Sequence, residues 1–474
     1  MSTKTPTAQK PAVGGTVSVL TLTGLVVGSM VGGGIFTLPS DFGAKTGVLG
    51  AVIAWVVTGV GMLTLAFVFQ RLAVQRPDLD NGIYSYAQAG FGHYAGFSAA
   101  WGYWASNIVG NVFFLTFAMA ALGEFVPGLG EGTTVLAVAC GSAVIWVCHL
   151  LISHGVRQAT IINRIVTVAK LVPIVVFIVV VLVSFDPGIF RENLWGSGEH
   201  TADSLFDQVR STMLVTTFVF LGIEGASVYS RLARRREDVG RATVLGFVST
   251  LALFASVTIV SYGVETQKGL AHAREPAMGS VLGSVTGDWG STLVDVGVIV
   301  SVLGAFLAWT LLNTESMYIP AADGVMPQAL ASTTEDGTPR AALLVTNLSV
   351  QAFLLLVLVV EDALDFMLSL DAALTLVPYL LSAAYAVRLA DRGDRRALVV
   401  PLVAVVYSLF LIYAAGPRYL LLGCLVYAPG FLLYLRARRE EGQRLRRAET
   451  WVAGGLWGLA GLAVVLLATD VIAV

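Results

Sequence analysis

Residues 28–39 read GSMVGGGIFTLP, and four of the twelve are glycine: Gly28, Gly32, Gly33 and Gly34. They interrupt an apolar stretch that runs from Val17 to Leu38. A glycine inside a helix costs roughly 1 kcal/mol relative to alanine, and lipid offers an unpaired peptide group no hydrogen-bond partner. Weak helix formers at the centre of an apolar segment therefore need a reason. One is packing, because Gly28-Ser29-Met30-Val31-Gly32 has the spacing of two small residues on one helix face that lets a second helix approach. The other is a deliberate break, which frees backbone amides and carbonyls to bind a polar molecule at membrane depth.

A second weak point favours the break. Residues 218–230, FVFLGIEGASVYS, surround the carboxylate of Glu224 with Gly222, Gly225 and Ala226. Between and beyond the two runs the chain is a series of long apolar segments. The whole chain of 474 residues is 56% hydrophobic and 13% charged, with mean hydropathy +0.78. Soluble domains are about 25% charged, so this is a polytopic membrane protein. A crossing needs about 20 apolar residues, and such runs fall at 16–38, 48–70, 94–122, 133–152, 159–184, 206–230, 242–264, 291–319, 341–360, 364–388, 397–415, 419–436 and 450–472. The last follows the charged linker RARREEGQRLRRAET and reads as an added peripheral helix.

The basic residues orient these spans. With the N-terminus in the cytoplasm, only Lys45, Arg191, Arg210, Lys268, Arg274 and Arg418 fall in outside segments, and Lys170 falls inside a span. Every other lysine and arginine lies on the inside, as the positive-inside rule requires. Residues 1–15 are polar, carry no signal-peptide pattern and are expected to be a disordered cytoplasmic tail. The two glycine-broken spans, the first and the sixth, each open a block of five. Paired breaks in corresponding positions are the mark of an inverted repeat. The expected organisation is therefore all-α: a first repeat over 16–184, a second over 206–388, spans eleven and twelve over 397–436, and the linker with span thirteen over 437–474.

Several classes are excluded by what is missing. There is no phosphate-binding loop, no nucleophile turn and no zinc-type grouping among the five histidines. A net charge of −2 and the absence of a basic patch argue against nucleic acid. No cofactor or metal is expected. Cys140 and Cys148 lie eight residues apart on one helix, about 12 Å along its axis and too far to bond. The arginine run RLARRRED at 231–238 reads as a topology anchor, with anionic lipid as a secondary contact.

VGSMVGGGIFTLP, NGIYSYAQAGFGHYAGFSAAWGYW (81–104), FLGIEGASVYSRLARRREDVGRATVLGF (220–247) and the long eighth span together resemble the basic amino acid/polyamine antiporters of the amino acid–polyamine–organocation superfamily, and among them the bacterial arginine/ornithine antiporters. The resemblance covers nearly the whole chain. It implies a five-plus-five inverted repeat with spans one and six unwound and twelve core spans plus a thirteenth. It also implies alternating access in a bacterial cytoplasmic membrane and a cargo of cationic amino acids: arginine, ornithine, lysine or a polyamine. A homodimer is compatible with it. Proton-coupled symport on the same fold, or lysine/polyamine exchange, remains an open alternative.

The motifs carry a site with them. The resemblance places Ser29, Met30, Gly32, Gly33 and Gly34 around the substrate carboxylate, and Phe218, Leu221 and Gly222 around its α-amino group and side chain. Asn107 and Asn111 fall at the pocket wall, and Trp309 where the family stacks an aromatic ring on a cationic side chain. Such a stack is worth about 2 kcal/mol when desolvated. Ser29 departs from relatives that carry an amide there. Asp371, in SLDAALTLVPYL, stands where relatives hold small hydroxyl residues and is a candidate substrate contact.

Three further charges are candidates for coupling or gating. Lys170 lies in the fifth span, ten residues from Thr160 and fourteen from Ser184, so roughly 15–20 Å from either end. A lysine at that depth costs about 2.5–3.5 kcal/mol on insertion scales. The resemblance implies that the fifth span faces the first-span break, where sodium-coupled relatives bind their ion; an ammonium there replaces sodium and holds unwound carbonyls. Proton coupling through this lysine is the alternative. Glu224 is expected to bond polar groups of neighbouring spans or to cap the resumed half-helix. Glu315, in LLNTESMY, is a gate or an anchor nearer the cytoplasmic end of the eighth span.

Overall fold

The structure is a computed structural model that describes residues 18–79, 81–154, 160–196, 200–224, 236–334, 337–390, 395–469 and 471–472. The expected tail, Gly225, Ala226 and most of the arginine run at 231–238 lie outside the described residues. The described chain is helical throughout, in the order α1 (Val19–Met30), α2 (Leu38–Lys45), α3 (Val48–Gln75), α4 (Ile83–Phe91), α5 (His93–Leu122), α6 (Val135–Ser153), α7 (Thr160–Val183), α8 (Pro187–Glu192), α9 (Ala202–Val219), α10 (Arg236–Ser261), α11 (Gln267–Ala271), α12 (Ala277–Thr286), α13 (Asp288–Ala322), α14 (Arg340–Leu356), α15 (Ala363–Leu389), α16 (Arg395–Glu440) and α17 (Arg447–Ala468).

Among the described residues, eight helices are long and apolar enough to cross a bilayer, and α1, α12, α14 and the Ala169–Val183 part of α7 are shorter apolar helices. These helices are apolar on both faces. Val52, Val56 and Val60 of α3 repeat every four residues on an exposed face, which in a soluble helix would be polar. Their opposite neighbours Ala51, Ala54 and Trp55 are buried. One stripe meets lipid and the other meets protein, and both exclude water.

The position of each helix follows from how much of it is covered. In α5, 94% of the apolar window is buried, against 17% in α17. Helix α5 is therefore the central pillar, in its most extensive contacts with α13 and α15. Small residues let α5 pack closely on α16 as well: a Cβ at Gly102 would lie 1.7 Å from the Tyr427 hydroxyl oxygen. Helix α17 lies against α16 at the periphery, with Trp451 and Val464 exposed.

The end of the first segment differs from the sequence reading. The first apolar segment, read as 16–38, ends its first helix at Met30 and continues through a 3-10 turn at Gly34–Phe36 into α2, which reaches Lys45. The polar residues Ser40, Asp41 and Lys45 hid this extension. They are compatible with a helix because Pro39 and Asp41 stand in its first turn and Lys45 in its last, the arrangement that suits the helix dipole. The runs 397–415 and 419–436 are two helices within the α16 range, on either side of non-helical Gly416 at φ 70°, ψ 171°.

Candidate functional site

The carbonyls and amides that α1 and α9 release where they stop set the site. Helix α1 closes with the Val31 amide donating to Val27 O at 2.8 Å, and Gly33 and Gly34 then accept the amides of Phe36 and Thr37 in a tighter turn. The carbonyls of Gly28 and Val31 are left without a helical donor. Lys170, buried in α7, supplies one: its Nζ donates to Gly28 O at 2.7 Å and to Val31 O at 2.8 Å. An ammonium has three donors and no acceptor, so it suits a cluster of released carbonyls.

Helix α9 ends at Val219 and turns through Phe220–Glu224. Gly222 has φ 101°, a conformation open to glycine because a side chain would collide with its own backbone. It is also pressed on the other chain end, since a Cβ there would lie 2.3 Å from Ser29 O. Ser29 Oγ donates to Gly222 O at 3.1 Å and to Val26 O at 2.8 Å. The two helix ends therefore touch through bare backbone.

Glu224 organises the second end. Its Oε2 accepts the Gly222 amide at 3.2 Å and the Tyr379 hydroxyl at 2.6 Å, and its Oε1 accepts the Tyr103 hydroxyl at 2.6 Å. Charge-assisted hydrogen bonds of this length are strong and directional. They tie α5, α15 and the turn after α9 into one cluster.

A small cavity lies beside the touching ends. Ser29, Met30, Gly32, Gly33 and Gly34 line it from the first end, and Phe218 and Leu221 from the second. Asn107 on α5, Trp309 on α13 and Asp371 on α15 complete the wall, together with Ile35, Gly110, Phe114 and Val219, which the sequence reading did not single out. Asn107 Nδ2 is buried without a hydrogen-bond partner among the described residues. The glycines have separate tasks. Among the described residues, a Cβ at Gly28 would meet nothing within 4 Å and one at Gly32 only the Phe114 ring at 4.0 Å, so none of the described helices packs tightly into that pair. Gly34 is pressed on Phe218 and Val219, at 2.8 and 2.9 Å from an added Cβ.

Several expected residues sit elsewhere. Asn111 is not on the lining; its Nδ2 donates to Thr310 Oγ1 at 3.3 Å. Gly222 is a packing point between the two ends, and Lys170 and Glu224 stand behind the wall. Glu315 is exposed on α13 and does not line the cavity. Tyr103 and Tyr379 were missed. Their signal was a tyrosine in WGYW and another in VPYL, each inside an apolar span, where a hydroxyl needs a buried acceptor.

Comparison with known proteins identifies the family. Residues 17–418 match the family model described as amino acid permease. An arginine/ornithine antiporter of Pseudomonas aeruginosa is 46% identical over 437 residues, covering 89% of this chain and 91% of that protein. An L-lysine transport protein of Corynebacterium glutamicum is 39% identical, covering 91% and 90%. An arginine/agmatine antiporter of Chlamydia abortus is 38% identical, covering 93% of both. A multi-pass helical chain with a cavity between two helix ends, matched over most of its length by these transporters, belongs to the amino acid permease family.

Proposed function

We propose that the protein exchanges cationic amino acids, arginine against ornithine, across the bacterial cytoplasmic membrane by alternating access. In this reading the chain folds as two inverted repeats of five spans, with spans one and six unwound at the cavity, two further core spans and a peripheral thirteenth. The N-terminus is cytoplasmic. The observation that carries the reading is the cavity's composition: bare backbone at one side for the charged head of an amino acid, and Trp309 with Asp371 at the other for a cationic side chain. The relatives' names, which speak of arginine, ornithine, agmatine and lysine, support a cationic cargo.

The glycine-rich end would hold the substrate carboxylate, since released amides and the start of a resumed helix favour negative charge. The turn after α9 would take the α-amino group, and Trp309 would lie on the side chain. Lys170 keeps the first end open in every state by occupying its carbonyls, and Glu224 with its two tyrosines closes one wall. Purified protein in liposomes preloaded with ornithine should accumulate labelled arginine, whereas empty liposomes should not. Equal uptake into empty liposomes under a proton gradient would replace exchange with symport. Gly32→Val tests the backbone site, because its side chain has room to fold and projects at the cavity wall; it should abolish arginine binding with the fold intact.

A further inference from the structure

Asp371 is the only ionisable side chain on the cavity lining among the described residues, and it is 3% exposed. One of its oxygens is spoken for. Ser106 Oγ donates to Oδ1, and Ser106 in turn lies 2.6 Å from Thr375 Oγ1. The Thr375 hydroxyl also donates to the Asp371 carbonyl oxygen at 3.1 Å, so this side of the residue is held by two hydroxyls. The other oxygen, Oδ2, lies over bare Gly110, where an added Cβ would come within 2.5 Å of it. No lysine or arginine among the described residues pairs with it, and no protein donor among them reaches it. A buried carboxylate with one solvated oxygen, one unserved oxygen and a cavity in front of it is an incomplete ion pair. Asn107, with its free Nδ2, lines the same cavity.

We propose that Asp371 is the specificity determinant of the cavity: its Oδ2 receives the positive end of the cargo's side chain, a guanidinium or primary ammonium, and so rejects neutral side chains of the same shape. The proposal rests on the cavity being the amino-acid site. A cationic end supplies both the missing donor and the missing charge. A neutral ureido group supplies donors but no charge, and leaves the carboxylate uncompensated.

Citrulline, the neutral counterpart of arginine, is therefore the probe. Ornithine-loaded liposomes take up labelled arginine, with unlabelled citrulline or arginine as competitor. In the wild type, citrulline should compete on the order of 100-fold more weakly than arginine, the scale of truncating one partner of a buried charge pair. In Asp371→Asn that ratio should fall below about tenfold, mainly through lost arginine affinity, and Asp371→Glu should keep the preference for charge. An unchanged ratio in a transporting Asp371→Asn protein overturns the role of Asp371 and leaves the exchange reading standing. A wild type that accepts citrulline as well as arginine overturns it without any variant. A wild type that exchanges neither arginine nor ornithine overturns the exchange reading and this inference with it.

Discussion

The two helix ends at the cavity are served by opposite charges. The first, at Met30, exposes carbonyls, and Lys170 meets two of them with an ammonium. The second, after Val219, exposes the Gly222 amide, and Glu224 meets it with a carboxylate. The sign follows from which group the chain releases: a helix C-terminus leaves acceptors, and a turn through Gly222 leaves a donor. The partners also differ in reach. Lys170 comes from a distant helix and binds backbone alone, whereas Glu224 belongs to the turn it serves and reaches outward by two further bonds, to Tyr103 and Tyr379. The first end is held by a point charge from outside, the second by a network built from within.

That difference predicts a ranking. Lys170→Ala should have the largest effect, because two buried carbonyls lose their donor at once. Each loss costs roughly 1–3 kcal/mol, so exchange should fall about 100-fold or more. Sodium should neither support wild-type exchange nor be required for it. Lys170→Arg should rescue poorly, since a planar fork does not replace a compact ammonium. Exchange rates in sodium and sodium-free buffers check all three. Full activity of the alanine variant would erase the contrast between the two ends.

Glu224→Gln should cost less, about tenfold in exchange. The amide keeps the shape and can still bond one tyrosine, but it no longer draws three donors with charge. Smaller again is the loss of a single spoke: Tyr103→Phe or Tyr379→Phe should each lower exchange a few-fold, by about 1 kcal/mol. Combined with Glu224→Gln, each should add little, because members of one network are not additive. Additive losses would show that the tyrosines act independently of Glu224, and the built-from-within description would fail.

The smallest effect lies beyond the first end, in the loop before α12. Glu275 accepts the Ser40 hydroxyl from α2 and the Ala277 amide at 2.9 Å. Burial first, then the nearby charge of Asp41, pushes its carboxyl from an ordinary 4.5 up to about 8. Between those values the folded chain keeps a proton that the unfolded chain has lost. Its stabilising contribution is therefore present at the acid end and is lost as pH rises towards 8. The melting temperature of the purified protein should fall modestly from pH 5 to pH 8, and Glu275→Gln should flatten that slope. An identical slope in the variant would remove Glu275 from the account.

What the sequence could disclose depended on polarity contrast. Breaks made of glycine, a lysine at mid-span and an aspartate in an apolar run all stand out against their surroundings, so Gly32–Gly34, Lys170 and Asp371 were readable. Tyr103, Gly110 and Phe114 were not. They lie on α5, which is buried on nearly every face, so no periodic stripe distinguishes the side that meets the cavity from the side that meets α13 or α15. Asn107 and Asn111 make the point. They are four residues apart and share a face, yet one lines the cavity and the other bonds Thr310. The end of the first segment was hidden for the opposite reason: the polar residues of α2 read as a loop, although their order suits a short helix.

Lys170 also bears on energetics. An ion taken from solution enters the stoichiometry of every cycle and carries its own gradient with it. An ammonium fastened to α7 is never exchanged with either compartment, so no sodium gradient acts through it. For arginine against ornithine, one positive cargo enters as another leaves, and the membrane voltage cancels from the equilibrium. At rest the inside-to-outside ratio of arginine equals that of ornithine. Net flow then runs only while metabolism holds those two ratios apart.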